Sequence, residues 1–309
     1  ITLSGQVSIR WIENKMNQKM NTILKTEGKD YVIASDTDSI YLHMGDLVDA
    51  VYKGREKTTE GIVTFLNKVC EVELEPYIES SYQELADYVN AYDQKMIMKR
   101  ENIADRGIWT AKKRYILNVW DSEGVRYEQA KLKIMGIEAI KTSTPAPCRT
   151  MLKDAFKLLM TGTEDEVIDY IEKCRSEFKN FPPEEVGFPR SVNNLQKYKG
   201  VSDIYNKGTP INVRGALLFN HYIKKNNLEH KYSAIQNGEK IRFCYLKTPN
   251  WMHENVISYI QDLPKELDLH KHVDYDLQFE KAFLEPIKVI LNCIGWETER
   301  KNTLESFFS

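Results

Sequence analysis

The sequence of 309 residues has little cysteine, and its five cysteines are scattered. None is spaced as Cys-x-x-Cys, the pattern typical of structural zinc sites, so no zinc site is predicted. An odd, scattered set of cysteines favours reduced thiols and a cytoplasmic location. No apolar run approaches the roughly 18 residues that a membrane-spanning helix needs, and no secretory signal pattern is visible, so no membrane partner is expected.

The chain also lacks a net charge that would indicate its partners, since the formal charge is −2. The distribution is uneven, however. Between Lys95 and Lys141 there are eleven Lys and Arg residues and six Asp and Glu residues. A basic stretch inside a neutral chain is a candidate phosphate-binding surface, although a solvated charged face has the same composition.

Hydrophobic periodicity predicts the order of elements in the first part of the chain. Apolar residues recur every three to four positions from about Leu3 to Lys25, as in an amphipathic helix. Two β-type runs with a polar break follow and predict a hairpin. Two helices separated at Pro76 come next, then strands at 96–98, 109–120, 125–127 and 132–135. This order favours an α+β fold, with helices on one face of an antiparallel sheet.

The pattern changes near Gly136, where a domain boundary is predicted. Pro147 can start a helix, and helical periodicity dominates the rest of the chain. A loop over 181–210 and a short strand at 241–246 interrupt it. The last eight residues have no periodicity. The sequence therefore predicts domains at 1–136 and 137–301, the second mainly helical, and a free tail at 302–309.

Asp36-Thr37-Asp38-Ser39 occupies the polar break of the predicted hairpin. Because the flanking runs are apolar, the hairpin is expected to be buried, and burying two carboxylates is costly unless they bind a cation. Oxygen ligands on a tight turn suit Mg²⁺. The same Asp-x-Asp pair also suits a surface Asx turn and occurs in Mn²⁺-dependent glycosyltransferases. These four residues alone leave the function open.

Two further features lie downstream of the hairpin. Glu101 is expected on a strand of the same sheet. Lys112-Lys113-Arg114-Tyr115 are expected to enter the next strand, where alternating cations would follow a phosphate backbone and the tyrosine would bind a phosphate or sugar. Metal-binding carboxylates beside a basic strand suit two-metal phosphoryl or nucleotidyl transfer, with ions ~3.5–4 Å apart.

These segments resemble the family B DNA polymerases. Residues 31–41, Tyr-Val-Ile-Ala-Ser-Asp-Thr-Asp-Ser-Ile-Tyr, resemble the third polymerase motif of that family. Residues 112–115 resemble its Lys-x-Tyr motif at the primer–template junction, and 132–138 with 141–145 resemble the passage from palm to thumb. The resemblance covers essentially the whole chain, most clearly up to Pro145, and concerns in particular the replicative polymerases of T-even-type phages.

The resemblance implies roles for the matching residues. Asp38 would be the principal metal ligand, Asp36 would shape the metal site, and Glu101 would support metal coordination. Asp121 would have a lesser supporting role. The residues that would contact DNA are Lys112, Lys113, Arg114, Tyr115, Lys133 and Lys141.

The resemblance also implies cofactors and partners. These are two Mg²⁺ ions (or Mn²⁺ in their place), deoxynucleoside triphosphates and primer–template DNA. Residues 1–136 would be the C-terminal part of the polymerase palm and 137–301 the thumb. The tail resembles a clamp-binding peptide in which Leu304, Phe307 and Phe308 would enter a groove of a sliding clamp.

The sequence departs from the family pattern in three ways. The family's first motif, its fingers motif and an exonuclease carboxylate motif do not occur in it. The loop from Glu101 to Trp109 is shorter than in the phage relatives, which affects the expected position of Glu101. Asn212 stands where a thumb motif usually has His. The chain is therefore expected to be the C-terminal half of a polymerase, inactive without an N-terminal partner chain that supplies the fingers and the other metal ligands.

The resemblance thus implies a DNA polymerase of phage DNA replication, and two other functions stay open beside it. One is a non-catalytic DNA-binding and clamp-tethering subunit with a vestigial site. The other is a metal-dependent glycosyltransferase that uses Asp36 and Asp38. It would need a nucleotide-sugar fold with parallel strands, which the predicted order of elements does not supply.

Overall fold

The computed structural model describes residues 2–300, which form two compact units of helices and antiparallel sheets. The α+β fold expected from the sequence is confirmed. The first unit contains the chain up to Gly107 together with Leu117–Lys133, and the second contains Ile108–Ile116 and the described residues from Ile134 onward.

The first unit is built around a long N-terminal helix. Its elements up to residue 88 are α1 (Thr2–Leu24), β1 (Val32–Asp36), β2 (Ser39–Leu42), α2 (Gly45–Val51), α3 (Thr59–Val69) and α4 (Glu75–Tyr88). Ile12, Met16 and Met20 of α1 are fully buried and pack with Ile78 and Tyr82 of α4. The periodic apolar residues of the sequence therefore form this core, which supports the β1–β2 hairpin.

Three consecutive strands form a sheet separate from that hairpin. They are β3 (Asn102–Ala111), β4 (Arg114–Ser122) and β5 (Val125–Met135), in the order β3-β4-β5. Val63 and Leu66 of α3 pack against Ile103 and Trp120, so a helix covers one face. The strand expected at 96–98 is wrong, because those residues have no regular structure, and 125–135 is one strand instead of two pieces.

The second unit combines helices with a small sheet. Its elements after residue 136 are α5 (Ala146–Thr161), α6 (Glu164–Phe178), α7 (Pro183–Val186), β6 (Phe188–Ser191), α8 (Leu195–Tyr198), α9 (Ile211–Lys225), β7 (Lys240–Tyr245), β8 (Val256–Tyr259), α10 (Tyr275–Phe279) and α11 (Glu285–Cys293). Strands β6, β7 and β8 pair antiparallel in that order. The loop expected over 181–210 is wrong, since this stretch holds α7, β6 and α8.

Two prolines lie inside continuous helices. Pro76 was expected to separate two helices, but a π-helical turn, Cys70–Leu74, joins α3 directly to α4. A second π-helical turn, Glu280–Leu284, joins α10 to α11 just before Pro286. Proline lacks an N–H and its ring crowds the carbonyl four residues earlier, so a wider turn accommodates it without ending the helix. Leu-Glu-Pro occurs at both places.

No helix within residues 2–300 is long and apolar enough to cross a membrane.

Candidate functional site

The Asp36–Ser39 turn has an unusual backbone. Asp36 pairs with Ser39 at the end of the β1–β2 ladder. Between them Thr37 adopts a φ of 52°, and the Asp38 N–H donates to the Asp36 carbonyl at 2.6 Å. A hydrogen bond over three residues with a positive φ is the pattern of the rare γ-turn, and a β-branched residue there is strained. The Thr37 hydroxyl donates to Asp36 Oδ1 at 3.0 Å and fixes that carboxylate.

The tip of this hairpin is exposed, so the expectation of a buried hairpin is wrong. Tyr31 and Val32 are buried, but Asp36 is only half-buried and Thr37 and Asp38 are exposed. The apolar run before the turn is thus buried where it begins and partly or fully exposed from Ile33 onward. The cost of burying charge therefore gives no argument for a cation here. The remaining argument is chemical, since carboxylate oxygens on a turn suit Mg²⁺.

The two aspartates do not form a complete metal site within the described chain. Among residues 2–300 no group of three His, Cys, Asp or Glu side chains is placed to hold one ion. The carboxylate of Asp38 makes none of the hydrogen bonds or ion pairs described within that range. Its oxygen donors are of the type that Mg²⁺ prefers.

Glu101 lies outside the sheets. It comes just before β3, and the sheet that begins there is not the sheet of β1 and β2, so its expected position is wrong. The exposed Glu101 carboxylate accepts a hydrogen bond from Lys133 Nζ at 3.1 Å. A predicted metal-supporting residue and a predicted DNA-binding residue are thus paired with each other.

Lys112 and Lys113 form the turn between β3 and β4, and only Arg114 and Tyr115 belong to a strand. The expectation of cations alternating along a strand is therefore wrong. Both lysines are exposed, and Lys113 has a φ of 60°. Tyr115 is buried, with its ring centroid 6.1 Å from that of Trp109. The turn thus presents two cations at its tip above an aromatic pair.

Glu138 binds two of the predicted DNA-binding cations at once. Arg114 donates through Nη2 to Oε2 at 2.9 Å and through Nη1 to Oε1 at 3.3 Å, and Lys141 donates to Oε1 at 2.8 Å. Partial burial would raise the pKa of Glu138, but the hydrogen bonds from Lys141 and Arg114 outweigh burial and hold the pKa below its ordinary value. Arg114 and Lys141 therefore serve an internal ion cluster.

Asp121 belongs to a second, more buried ion cluster. Its side chain is 2% exposed and accepts hydrogen bonds from Arg100, from Arg126 Nε at 3.1 Å and from the Gly124 N–H at 3.0 Å. Arg100 also donates to Asn67 of α3. Burial alone would raise the pKa of Asp121, but the hydrogen bonds from Arg126 and Arg100 lower it overall. The cluster fastens α3 to β4.

Sequence reasoning missed Glu138 and Arg100 as parts of this region. Glu138 stands three residues before Lys141, a spacing at which opposite charges pair on a helical turn, and that signal was present in the sequence. Arg100 gave no local signal, because its carboxylate partner lies 21 positions away. The predicted tail residues Leu304, Phe307 and Phe308 lie outside the described residues.

Comparisons with known proteins point in one direction. No protein-family model matches the chain. The chain is 34% identical over 321 residues to the DNA-directed DNA polymerase of Escherichia phage RB69, and 30% identical over 322 residues to that of Enterobacteria phage T4. Each alignment covers 100% of this chain and 35% of the relative. The chain thus spans about a third of the length of the curated relatives it matches.

Proposed function

We propose that this chain is the C-terminal part of a family B DNA-directed DNA polymerase, which extends a primer by template-directed nucleotidyl transfer in phage DNA replication. The observation that carries the proposal is the exposed Asp36–Ser39 hairpin, in a chain similar along its whole length to two phage DNA polymerases. The activity, substrates and partners of a whole polymerase are part of this proposal.

The hairpin carboxylates would hold the metal. Bound Mg²⁺ ions would stabilise the charge that develops on the reacting phosphoryl group. Asp38, with an exposed carboxylate, would be the direct ligand, and Asp36, oriented by the Thr37 hydroxyl, would shape the site beside it. Because no group of three suitable ligands lies within residues 2–300, an N-terminal part of the enzyme would supply the rest.

The turn at Lys112 and Lys113 would bind the primer–template. Its two exposed cations would contact phosphates, and such contacts position a duplex without reading its sequence. Lys133 and Lys141 would contribute further positive charge, each while paired with a carboxylate. The template base would select the incoming deoxynucleoside triphosphate. Its phosphates would be bound by the fingers, which the N-terminal part of the enzyme would supply.

Exposed apolar side chains of the first unit support an N-terminal partner. Trp11 and Tyr88 stack with centroids 6.2 Å apart where α1 meets α4. In the same elements Leu3 of α1 is 73% exposed and Tyr88 of α4 is 81% exposed, and Tyr92, just after α4, is fully exposed. Large exposed apolar surfaces of soluble proteins commonly mark sites that a partner covers.

Reconstitution with the N-terminal polymerase part tests the proposal. This chain alone should not extend a primer, and the combined enzyme should. Asp38→Ala in the combined enzyme should lower the synthesis rate by roughly a thousandfold, because it removes stabilisation of transition-state charge. Its affinity for primer–template should stay within about twofold, since the carboxylate binds no DNA.

A matched control uses Asp49→Ala, which removes an exposed carboxylate that pairs with Lys57 at 2.6 Å. It should leave both the rate and the affinity unchanged. Synthesis by the Asp38→Ala enzyme at the wild-type rate would refute the proposed role of the hairpin. It would favour the alternative, a non-catalytic DNA-binding subunit, which the incomplete ligand set also suits.

A further inference from the structure

The passage from β5 into α5 contacts the Lys112–Lys113 turn and also Arg114, the residue that follows it. The Glu138 carboxylate, with 24% of its side chain exposed, binds Arg114 through both terminal nitrogens. Gly136 lies directly against the turn, because a Cβ at this position would overlap the carbonyl oxygen of Lys113 and come within 3.2 Å of Arg114 Cγ. Gly136 itself has a φ of 66°, which glycine adopts most readily.

The turn needs such support because its backbone is costly. A non-glycine residue in the left-handed region, as Lys113 is, costs about 1–2 kcal/mol. Such a conformation persists only when its surroundings hold it. On the strand side the Thr110 hydroxyl donates to the Arg114 carbonyl at 3.3 Å. The Arg114–Glu138 pair fixes the residue that directly follows the turn.

The ion cluster of Glu138, Arg114 and Lys141 affects which cations are available to a DNA phosphate. Arg114 and Lys141 both donate hydrogen bonds to one carboxylate, so fewer of their N–H groups remain for a phosphate. A bidentate arginine–carboxylate pair is also directional, and it therefore fixes geometry as well as neutralising charge.

We propose that Glu138 is a positioning residue for primer–template binding, which acts by holding Arg114 so that the Lys112–Lys113 turn presents its cations to the phosphate backbone. The inference rests on the proposed function, since it takes that turn as a DNA contact. It assigns Arg114 to the support of the turn and the phosphate contacts made at the turn to Lys112 and Lys113.

The test measures binding of a fluorescent primer–template duplex to the full chain by anisotropy, over a series of salt concentrations. Glu138→Gln, which keeps the side-chain size, should weaken binding about tenfold, the effect of losing one charge-assisted contact. The salt dependence should not become steeper, because the substitution adds no phosphate contact. Glu138→Asp should recover part of the affinity.

Two comparisons make the result decisive. Glu266→Ala removes an exposed carboxylate that binds Lys231 and Tyr232 in the same unit, and raises the net charge by the same amount. It should leave affinity unchanged. In a Lys113→Ala background Glu138→Gln should have little further effect, because it acts through that turn. Circular dichroism of every variant identifies any loss of fold, and the Glu138→Asp variant then carries the test.

The direction of the change in DNA affinity distinguishes the possible outcomes. Tighter binding by Glu138→Gln with a steeper salt dependence would mean that Glu138 screens Arg114 and Lys141 from DNA, and would overturn the inference. Unchanged binding would overturn it as well. If Lys113→Ala alone does not weaken binding, the proposed DNA contact itself fails. If Lys113→Ala weakens binding and Glu138→Gln does not, only the positioning role fails.

Discussion

Thr37 and Lys113 share a conformation that their residue types disfavour, with φ of 52° and 60°. Each stands in the turn of a hairpin that carries the candidate chemistry. Local contacts are made at both residues, since the Thr37 hydroxyl donates to Asp36 and the Lys113 carbonyl oxygen lies against Gly136. Strained backbone conformations of this kind persist where the surrounding structure holds them, and they are often found at functional sites. The backbone of both turns is thus held in a conformation that the residue types alone would disfavour.

Asp121→Asn should lower the free energy of unfolding by about 3 kcal/mol, because it removes one partner of a buried ion cluster and leaves Arg100 and Arg126 uncompensated. Chemical denaturation measures the change. Asp93→Asn is the control, since Asp93 and Lys95 form an exposed pair at 3.3 Å, and such pairs contribute little. Equal effects of the two substitutions would contradict a stabilising cluster at Asp121.

The lowered pKa of Asp121 fixes the pH dependence of this effect. A carboxyl group with a depressed pKa in the folded state contributes stability above its unfolded pKa of about 3.9, and loses it as the pH falls through the lower folded value. The difference between wild type and Asp121→Asn should therefore be constant from neutral pH down to about pH 4. It should narrow in more acidic solution.

At the scale of single elements, two helical glycines should respond in opposite directions to alanine. In α9 a Cβ at Gly215 would lie 2.8 Å from the Ser258 nitrogen and 3.0 Å from the Ile257 carbonyl carbon of β8. In α1 a Cβ at Gly5 would meet nothing within 4 Å. Gly215→Ala should destabilise the second unit by about 2 kcal/mol through overpacking. Gly5→Ala should stabilise α1 by up to ~1 kcal/mol through helix propensity.

Hydrogen exchange of the α9 and β8 amides reports the first effect, and exchange within α1 reports the second. Faster exchange in α9 after Gly215→Ala, with slower exchange in α1 after Gly5→Ala, is the expected pair of results. If Gly215→Ala leaves α9 and β8 as protected as before, the close approach of this helix to the sheet is wrong.

Elements with a strong local pattern could be predicted from the sequence, and others could not. The apolar period of α1 and the turn between two β-type runs were sufficient, and both predictions are confirmed within one or two residues. The short strands β6 and β8 were missed because four residues give no measurable period. Pro76 misled, because the π-helical turn before it depends on local geometry that periodicity does not record.

At the scale of the whole molecule, the proposed role of the tail at 302–309 is to tether the chain to a sliding clamp. Removing residues 303–309 should leave distributive synthesis by the reconstituted enzyme unchanged and abolish its stimulation by a sliding clamp, because a tether raises local concentration without changing the chemistry. Primer extension with and without the clamp measures both. Phe307→Ala with Phe308→Ala should match the deletion, and Glu305→Ala should behave like the wild type. Full stimulation of the shortened enzyme would exclude the tail as the tether.

The candidate site was predictable in composition but less so in geometry. The motifs located Asp38, Lys113 and Tyr115, since these types and spacings are local. The partners of the charges could not be predicted, because pairing of Glu101 with Lys133, and of Arg100 with Asp121, joins residues 32 and 21 positions apart. Burial of Tyr115 beside Trp109 likewise depends on the fold of the whole sheet. The roles of these residues stay predictions.

The order of the two units along the sequence limits which recombinants between related genes can fold. Residues 108–116 belong to the second unit although they interrupt the sequence of the first. A recombinant that joins two relatives at a single crossover near residue 134 would therefore receive Glu138 from one parent and Arg114 from the other. Viable chimaeras should carry the tip segment 108–116 together with everything after residue 134, or come from parents that share both partners of that ion pair.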